Sequence, residues 1–353
     1  MKSLPYYDDL TARQTIKLRE LIKTLPPFAK EFFRAIDSTT QVRTRIAYAY
    51  DLRVFFHFLI DENPAYRNYS VLDFKVSDLD KIESVDLEEY MEYLKVYISE
   101  EQHKHMQNTE QGVFRKMSAL RSFYGYFYKR QLIEKNPTLL VDMPKIREKE
   151  IIRLEADEVA SLLDFVEHGG DHLTGQKLAY YEKTKERDLA IITLLLGTGI
   201  RVSELCNIKL KDIDLLEKKL KIFGKGSKER ILYLGNSNVV QLCQMYLTYN
   251  NTCKKNEYFF LNKFNKKLSE QTVRILLKKI ESELELSTHI TPHMFRHTFA
   301  TTLLEKGVDI RYIQNILGHS SISTTQIYTY VTYSKQKEIL TNKNPINDYQ
   351  LNI

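Results

Sequence analysis

The chain has 353 residues, 43% of them hydrophobic and 28% charged, which excludes a collagen-like, disulfide-built or wholly disordered protein and predicts two domains or three. The net charge is +6 with a pI near 8.9, just short of the pI above about 9 that marks a nucleic-acid-binding domain. Aromatic usage is lopsided, with 23 Tyr, 17 Phe and no Trp.

As far as Asn136-Pro137 the chain reads as helices with almost no strand signal, so a helical bundle is predicted. An amphipathic stretch runs from Leu10 to Leu25 and stops at Pro26-Pro27. A second helix spans Phe28 to Ile36, with Pro27 suited to its first turn. Ser38-Thr39-Thr40 offers caps for a long helix reaching about Ile60, whose Ile46, Leu52, Phe55, Phe56 and Leu59 recur at three- and four-residue spacing. Another begins at Ser84 with Leu87, Tyr90, Met91 and Leu94 on one stripe. A further helix covers Gln111 to Leu132 and carries Phe114, Leu120, Phe123, Tyr124 and Phe127. Pro144 and the charged run from Lys145 to Glu150 then have the composition of a linker.

The second part opens with a helix near Glu155 to Glu167, followed by a polar segment, Gly169 to Thr184, expected to be a loop or an extended connection. Arg187 to Leu196 is an apolar helix. IKLKDIDL, KLKIFG and RILYL then break the helical period and predict three short strands, with turns at Leu216-Glu217 and at Gly224-Lys225-Gly226. Helices return from Asn238. The two parts differ in charge as well: residues 1–150 are net +1 and the remainder net +5.

Cys206, Cys243 and Cys253 are odd in number, widely spaced and without a CxxC pair, which suits a reducing compartment. MKSLPYYDDL has no apolar core for a signal peptide, and no apolar run approaches the ~18 residues of a membrane span.

Five short motifs stand out, and each alone means little. GTGIRVSEL, from Gly197 to Leu205, lacks the third glycine of GxGxxG because Val202 stands there. It reads as a helix end, a tight turn and a new helix beginning near Arg201. Gly224-Lys225-Gly226-Ser227-Lys228 fails the P-loop spacing and reads as a hairpin tip displaying lysine. In His293-Met294-Phe295-Arg296-His297, positions 293, 296 and 297 share a helical face. Met294 stands where a zinc-binding HExxH needs glutamate, and no carboxylate or thiol nearby completes a ligand set, so no metal is predicted. An arginine flanked by histidines suits phosphate, whose oxygens a guanidinium matches in pairs. His297 by itself reads as a core histidine. Leu317-Gly318-His319-Ser320 and Gln326-Ile327-Tyr328-Thr329-Tyr330 complete the series.

In order, Arg201, Lys225, His293-x-x-Arg296, His319 and Tyr328 resemble the tyrosine recombinase (phage integrase) family, and TGIRVSEL, GKGSKER, TPHMFRHTFATTLLEKG and IQNILGHSSISTTQIYTY resemble its Xer branch. The likeness spans about Leu154 to Val331. It extends more weakly to Thr44, Tyr48, Asp51 and Leu52 in the first part. Phe295 replaces a usual leucine and Tyr330 a common histidine; neither removes a catalytic group. The length of the Gly169–Thr184 segment is similar to that of the single-recombinase Xer type. The resemblance implies a mainly α fold with a small antiparallel β-sheet, arranged as a two-domain clamp. A helical SAM-like core-binding domain (1–147) and a linker (148–153) would precede the catalytic domain (154–333). A tail (334–353), beginning SKQKEIL, would be exchanged between subunits.

It also implies site-specific DNA strand exchange. Tyr328 would attack a phosphodiester to give a 3′-phosphotyrosyl link and a 5′-hydroxyl. Arg201 and Arg296 would hold the nonbridging oxygens, each contributing about 3–4 kcal/mol by analogy with an oxyanion-hole donor. His319 would add a hydrogen bond, Lys225 would protonate the leaving oxygen, and His293 would assist at Tyr328 or steady the phosphate. The covalent link conserves bond energy, so no metal, ATP or other cofactor is expected. Tyr328 is preferred over Tyr330 and Tyr333 because it follows the QIY pattern, nine residues after His319. Glu204 would play a structural part near Arg201. DNA contacts are expected from Arg115, Lys116 and Arg121, with Lys129 and Arg130, on the last helix of the bundle; from Arg43, Thr44 and Arg45; and from Lys228. The implied partners are two double-stranded DNA sites, a homotetramer and a septal DNA translocase, in a bacterial cytoplasm at the nucleoid. Chromosome dimer resolution at a dif-like site and integration or excision of a mobile element share this chemistry; the lack of an arm-binding domain before the bundle favours the first. A non-catalytic DNA-binding protein, a type IB topoisomerase and a metal-dependent nuclease are the alternatives.

Overall fold

The computed structural model describes residues 6–99, 104–146, 152–224, 229–249, 256–286 and 288–318. Contacts divide the chain into two compact units, Met1–Glu148 and Lys149–Ile353, each with its own hydrophobic core. Of the expected linker, only Ile152 and Arg153 are among the described residues.

The first unit contains α1 (Tyr6–Ile22), α2 (Ala29–Ala35), α3 (Val42–Glu62), α4 (Ser84–Tyr93), a hairpin of β1 (Val96–Ser99) and β2 (Lys104–Gln107), and α5 (Glu110–Lys129). The hairpin corrects the all-helical expectation. Its antiparallel register pairs Val96 with Gln107 and Ile98 with His105. The cap of α3 is also corrected: Gln41, not the Ser38–Thr40 cluster, occupies that position and makes no side-chain cap. The core accounts for much of the aromatic excess. Phe28, Phe32 and Phe56 pack on Phe123 and Phe127 of α5, with Phe32 and Phe123 edge to face at 5.3 Å. Such pairs add roughly 0.5–1.5 kcal/mol each beyond the area they bury.

In the second unit, α6 (Ala156–His168) leads to α7 (Gly175–Thr198). The segment expected as a loop is therefore mostly helix, since its residues from Gly175 onward are the first turns of α7. From Thr184 onward the helix becomes apolar and almost wholly buried, packing against α6, α9 and α11. After α8 (Val202–Asn207) comes an antiparallel sheet of β3 (Ile213–Asp214), β4 (Lys219–Phe223) and β5 (Glu229–Tyr233) in that spatial order. The first strand is shorter than predicted. Asp212 turns back to accept from the Lys209 N–H at 3.2 Å, making a 3-10 turn of Leu210–Asp212 and leaving two residues to pair. Among the described residues, four helices follow: α9 (Ser237–Tyr249), α10 (Glu270–Glu283), α11 (Pro292–Glu305) and α12 (Ile310–Leu317). The start of the unit is fastened to α11, where Thr298 Oγ1 accepts from the Leu154 N–H at 2.9 Å.

Replacing Phe123 with Ala should cost the first unit about 3–5 kcal/mol, read as a lowered midpoint in urea unfolding.

Candidate active site

The site is built where two helices end and two begin. Helix α7 stops at Gly199, whose φ of +62° is left-handed and whose N–H returns to the Leu195 carbonyl at 3.0 Å. A side chain there is blocked twice, by handedness and by crowding: an added Cβ would lie 2.5 Å from Phe299 and 2.8 Å from Leu317. The chain then enters α8 with Arg201 at the N-cap position, as the GTGIR pattern predicts. The Glu204 carboxylate caps this start, accepting from the Arg201 N–H at 2.9 Å and from Arg201 Nη1 at 3.1 Å. Arg201 keeps 33% of its side chain exposed.

Helix α11 begins at Pro292, and its next turn carries His293, Arg296 and His297. His293 is exposed, His297 half-buried and Arg296 only 3% exposed. A buried guanidinium needs partners, and two helix ends supply them. Arg296 Nη1 donates to the Gly199 carbonyl at 2.7 Å and Nη2 to the Leu317 carbonyl at 2.8 Å. Those carbonyls lie two residues before Arg201 and two before His319. One fork thus gathers three of the motifs that are far apart in sequence.

A second fork was not assigned from sequence. Arg230, on β5, donates Nε to the Ile316 carbonyl at 3.0 Å, Nη1 to Glu204 Oε1 at 3.0 Å and Nη2 to Glu204 Oε2 at 2.8 Å. It rests on Gly318, the left-handed residue (φ +66°) ending α12; an added Cβ there would come within 2.8 Å of Arg230 Nη1. Alternation along RILYL puts Arg230 on the face of the buried Leu232, and that is the signal that would have found it. Burial pushes the Glu204 carboxyl up, but Arg230, through hydrogen bonds and charge, and then Arg201 outweigh it and hold it below the usual range.

Both histidines are held below the ordinary histidine value of 6.5. For His293 desolvation comes first, followed by the Arg296, Arg201 and Arg274 charges, which Glu270 partly offsets. For His297 burial comes first, then His293 and Arg296. At neutral pH the arginines therefore carry the positive charge while the imidazoles remain able to accept a proton.

Lys225, Lys228, His319 and Tyr328 lie outside the described residues. In the first unit the expected basic surface is only partly a surface. Lys116 is 6% exposed and donates to Asn108 Oδ1 at 2.9 Å. Arg121 donates to the Thr138 carbonyl at 3.1 Å and the Val141 carbonyl at 2.7 Å. Both are turned towards the protein. Arg115 pairs with the buried Asp51, and Arg45 pairs with Asp37, while Arg43 is exposed and Thr44 half-exposed. Among the described residues no group of three or more His, Cys, Asp or Glu is placed to hold a metal, and no helix is long and apolar enough to cross a membrane. Burial pushes the Cys206 and Cys243 thiols up to about 12, so neither is a ready thiolate.

The model of the phage integrase family matches residues 152–335. A tyrosine recombinase of Agathobacter rectalis is 41% identical over 280 residues, 78% of this chain and 87% of that protein. The chain is a tyrosine recombinase of the phage integrase family. Tyrosine recombinase XerC of Caldanaerobacter subterraneus subsp. tengcongensis is 38% identical to the recombinase over 350 residues, 95% of this chain and 91% of that one, which places it with the Xer-like members. XerH recombinase, in a post-cleavage complex with palindromic difH substrate, shares the fold at a TM-score of 0.62 and 21% identity, covering 86% of this chain and 79% of that one. A lambda integrase dimer bound to a COC′ core site shares it at 0.61 and 17% identity, covering 85% and 93%.

The depressed histidines fix the sign of a pH dependence. Below about pH 6.5 the unfolded recombinase takes up protons that folded His293 and His297 refuse, so stability falls as pH drops. Melting temperatures measured down from neutral pH should decline, and a His293→Gln, His297→Gln double variant should decline less.

Proposed function

We propose that the recombinase cuts and rejoins DNA through a 3′-phosphotyrosyl intermediate on Tyr328, and that it resolves chromosome dimers at a dif-like site. The chemistry rests on one observation: Arg201, Arg296 and a neutral His293 are brought together from motifs nearly a hundred residues apart. Two guanidiniums can share the nonbridging oxygens of a scissile phosphate and stabilise the charge that grows there. His293, uncharged at neutral pH, has one ring nitrogen able to receive a proton from Tyr328. Lys225 protonates the departing 5′-oxygen and His319 donates to the phosphate. The bond energy passes into the tyrosyl ester and back, so the cycle closes without ATP or metal.

The chromosomal role is supported by similarity to proteins called XerC over most of their length. A mobile-element role has its own support, since the integrase of transposon Tn1549 shares the fold at a TM-score of 0.59. In either role the recombinase grips double-stranded DNA with both units, using Arg43, Thr44 and Arg115 in the first and Lys228 in the second. It works as a homotetramer on two sites in the bacterial cytoplasm, with a septal DNA translocase as its partner in the chromosomal role.

Sheared genomic DNA from the source organism, incubated with the recombinase and denatured in detergent, should yield fragments covalently bound to protein. Tyr328→Phe should bind DNA but capture none; persistent capture would move the nucleophile to Tyr330 or Tyr333. EDTA should leave capture unchanged. An inverted repeat at one chromosomal locus supports dimer resolution, whereas element ends support the mobile-element role. Deleting Ser334 to Ile353 should weaken the pairing of two sites more than binding to one, compared by native gel shift.

A further inference from the structure

Arg201 and Arg230 face one carboxylate. Glu204 lies 7% exposed between them, gives one oxygen to Arg201 and receives both Nη groups of Arg230 at 2.8 and 3.0 Å. Arg230 is itself only 13% exposed in its side chain, and its third donor is used by the Ile316 carbonyl. The balance of charge matters here. A lone Glu204 would pair with Arg201 one to one and cancel the charge that the phosphate needs. With Arg230 holding the carboxylate bidentately, the three groups sum to +1, and Arg201 is left partly exposed with its positive charge uncancelled.

We infer that Arg230 is a positioning residue of the recombinase, which holds Glu204 by two hydrogen bonds so that Glu204 orients Arg201 without neutralising it. This rests on the proposed role of Arg201 at the scissile phosphate. Arg230 also ties β5 to the end of α12, where its Nε donates to the Ile316 carbonyl. Glycine at 318 follows from the same contact, since any side chain there would displace the guanidinium.

The test uses the full chain and a nicked duplex carrying the sequence that the wild type captures from genomic DNA. Under saturating protein, Arg230→Met should slow single-turnover formation of the covalent adduct about 10²-fold, the scale of a misplaced catalytic group, while the midpoint for DNA binding stays put. Arg230→Lys, which keeps the charge but not the fork, should fall between the two. The deciding variant is Arg230→Met with Glu204→Gln: removing the uncontrolled carboxylate should recover about tenfold of the rate. A merely structural Arg230 predicts the opposite, with the double variant as slow as the single or slower, and that result overturns the inference. So does an Arg230→Met protein that cleaves at the wild-type rate. A wild type that captures no DNA overturns the recombination chemistry instead, and the link can then still be read without DNA. The Nε–H nuclear magnetic resonance signal of Arg201 should shift in Arg230→Met and return towards its wild-type position in the double variant; an Arg201 signal indifferent to both changes overturns the inference by itself.

Discussion

Arg296 carries a permanent positive charge at a place where water scarcely reaches it, and the ends of two helices make that tolerable. The C-terminal ends of α7 and α12 are the negative poles of their helices, and the fork of one guanidinium takes the carbonyl of the cap residue Gly199 at one and the last carbonyl, of Leu317, at the other. The rest of the site follows from this arrangement. The chain leaves α7 in the direction of Arg201 because Gly199 is turned to present its carbonyl. Gly318, which ends α12, is turned in the same left-handed sense. A lysine at 296, with a single ammonium on a flexible stem, has no such fork with which to hold both helix ends in register.

The same economy explains how a cluster of cations stays together. Arg201 and Arg230 bring two positive charges to one carboxylate, Glu204, while Arg296 spends its fork on the Gly199 and Leu317 carbonyls. Helix ends and Glu204 offset enough of their repulsion to fold the site, and a net positive charge remains for an anion. In the first unit, by contrast, buried cations are absorbed locally. Lys116 and Arg121 meet amide or carbonyl oxygens, so part of the basic content of α5 is spent inside the protein, while Arg115 stays exposed beside the buried Asp51.

What was legible in the sequence and what was not have physical reasons. Helices α3 and α5 could be read because their apolar stripes recur with the helical period over five turns or more. The hairpin of β1 and β2 could not, since VYIS is a four-residue run and its partner KHMQ is mostly polar. The first turns of α7 resembled a loop because residues 175–183 bury almost nothing, and a helix without an apolar stripe has no visible period. Counting basic residues along α5 misplaced Lys116, which sits on the angular stripe of Val113, Met117 and Leu120 and so faces inward. At the site, Arg201, His293 and Arg296 could be picked out as a set from their motifs. Arg230 could not, because its partners Glu204 and Ile316 lie 26 and 86 residues away.

Gly199 and Gly318 touch no substrate in the proposed reaction, yet each ends a helix in a left-handed turn packed against an element of the site. This bears on how such genes are sorted. A census that scores only the arginines, lysine, histidines and tyrosine would count as active a copy with alanine at 199 or 318. In such a copy every reactive group would still be encoded, but the left-handed turn that delivers it would be lost. The two glycines therefore separate chains that can assemble the site from chains that only spell it.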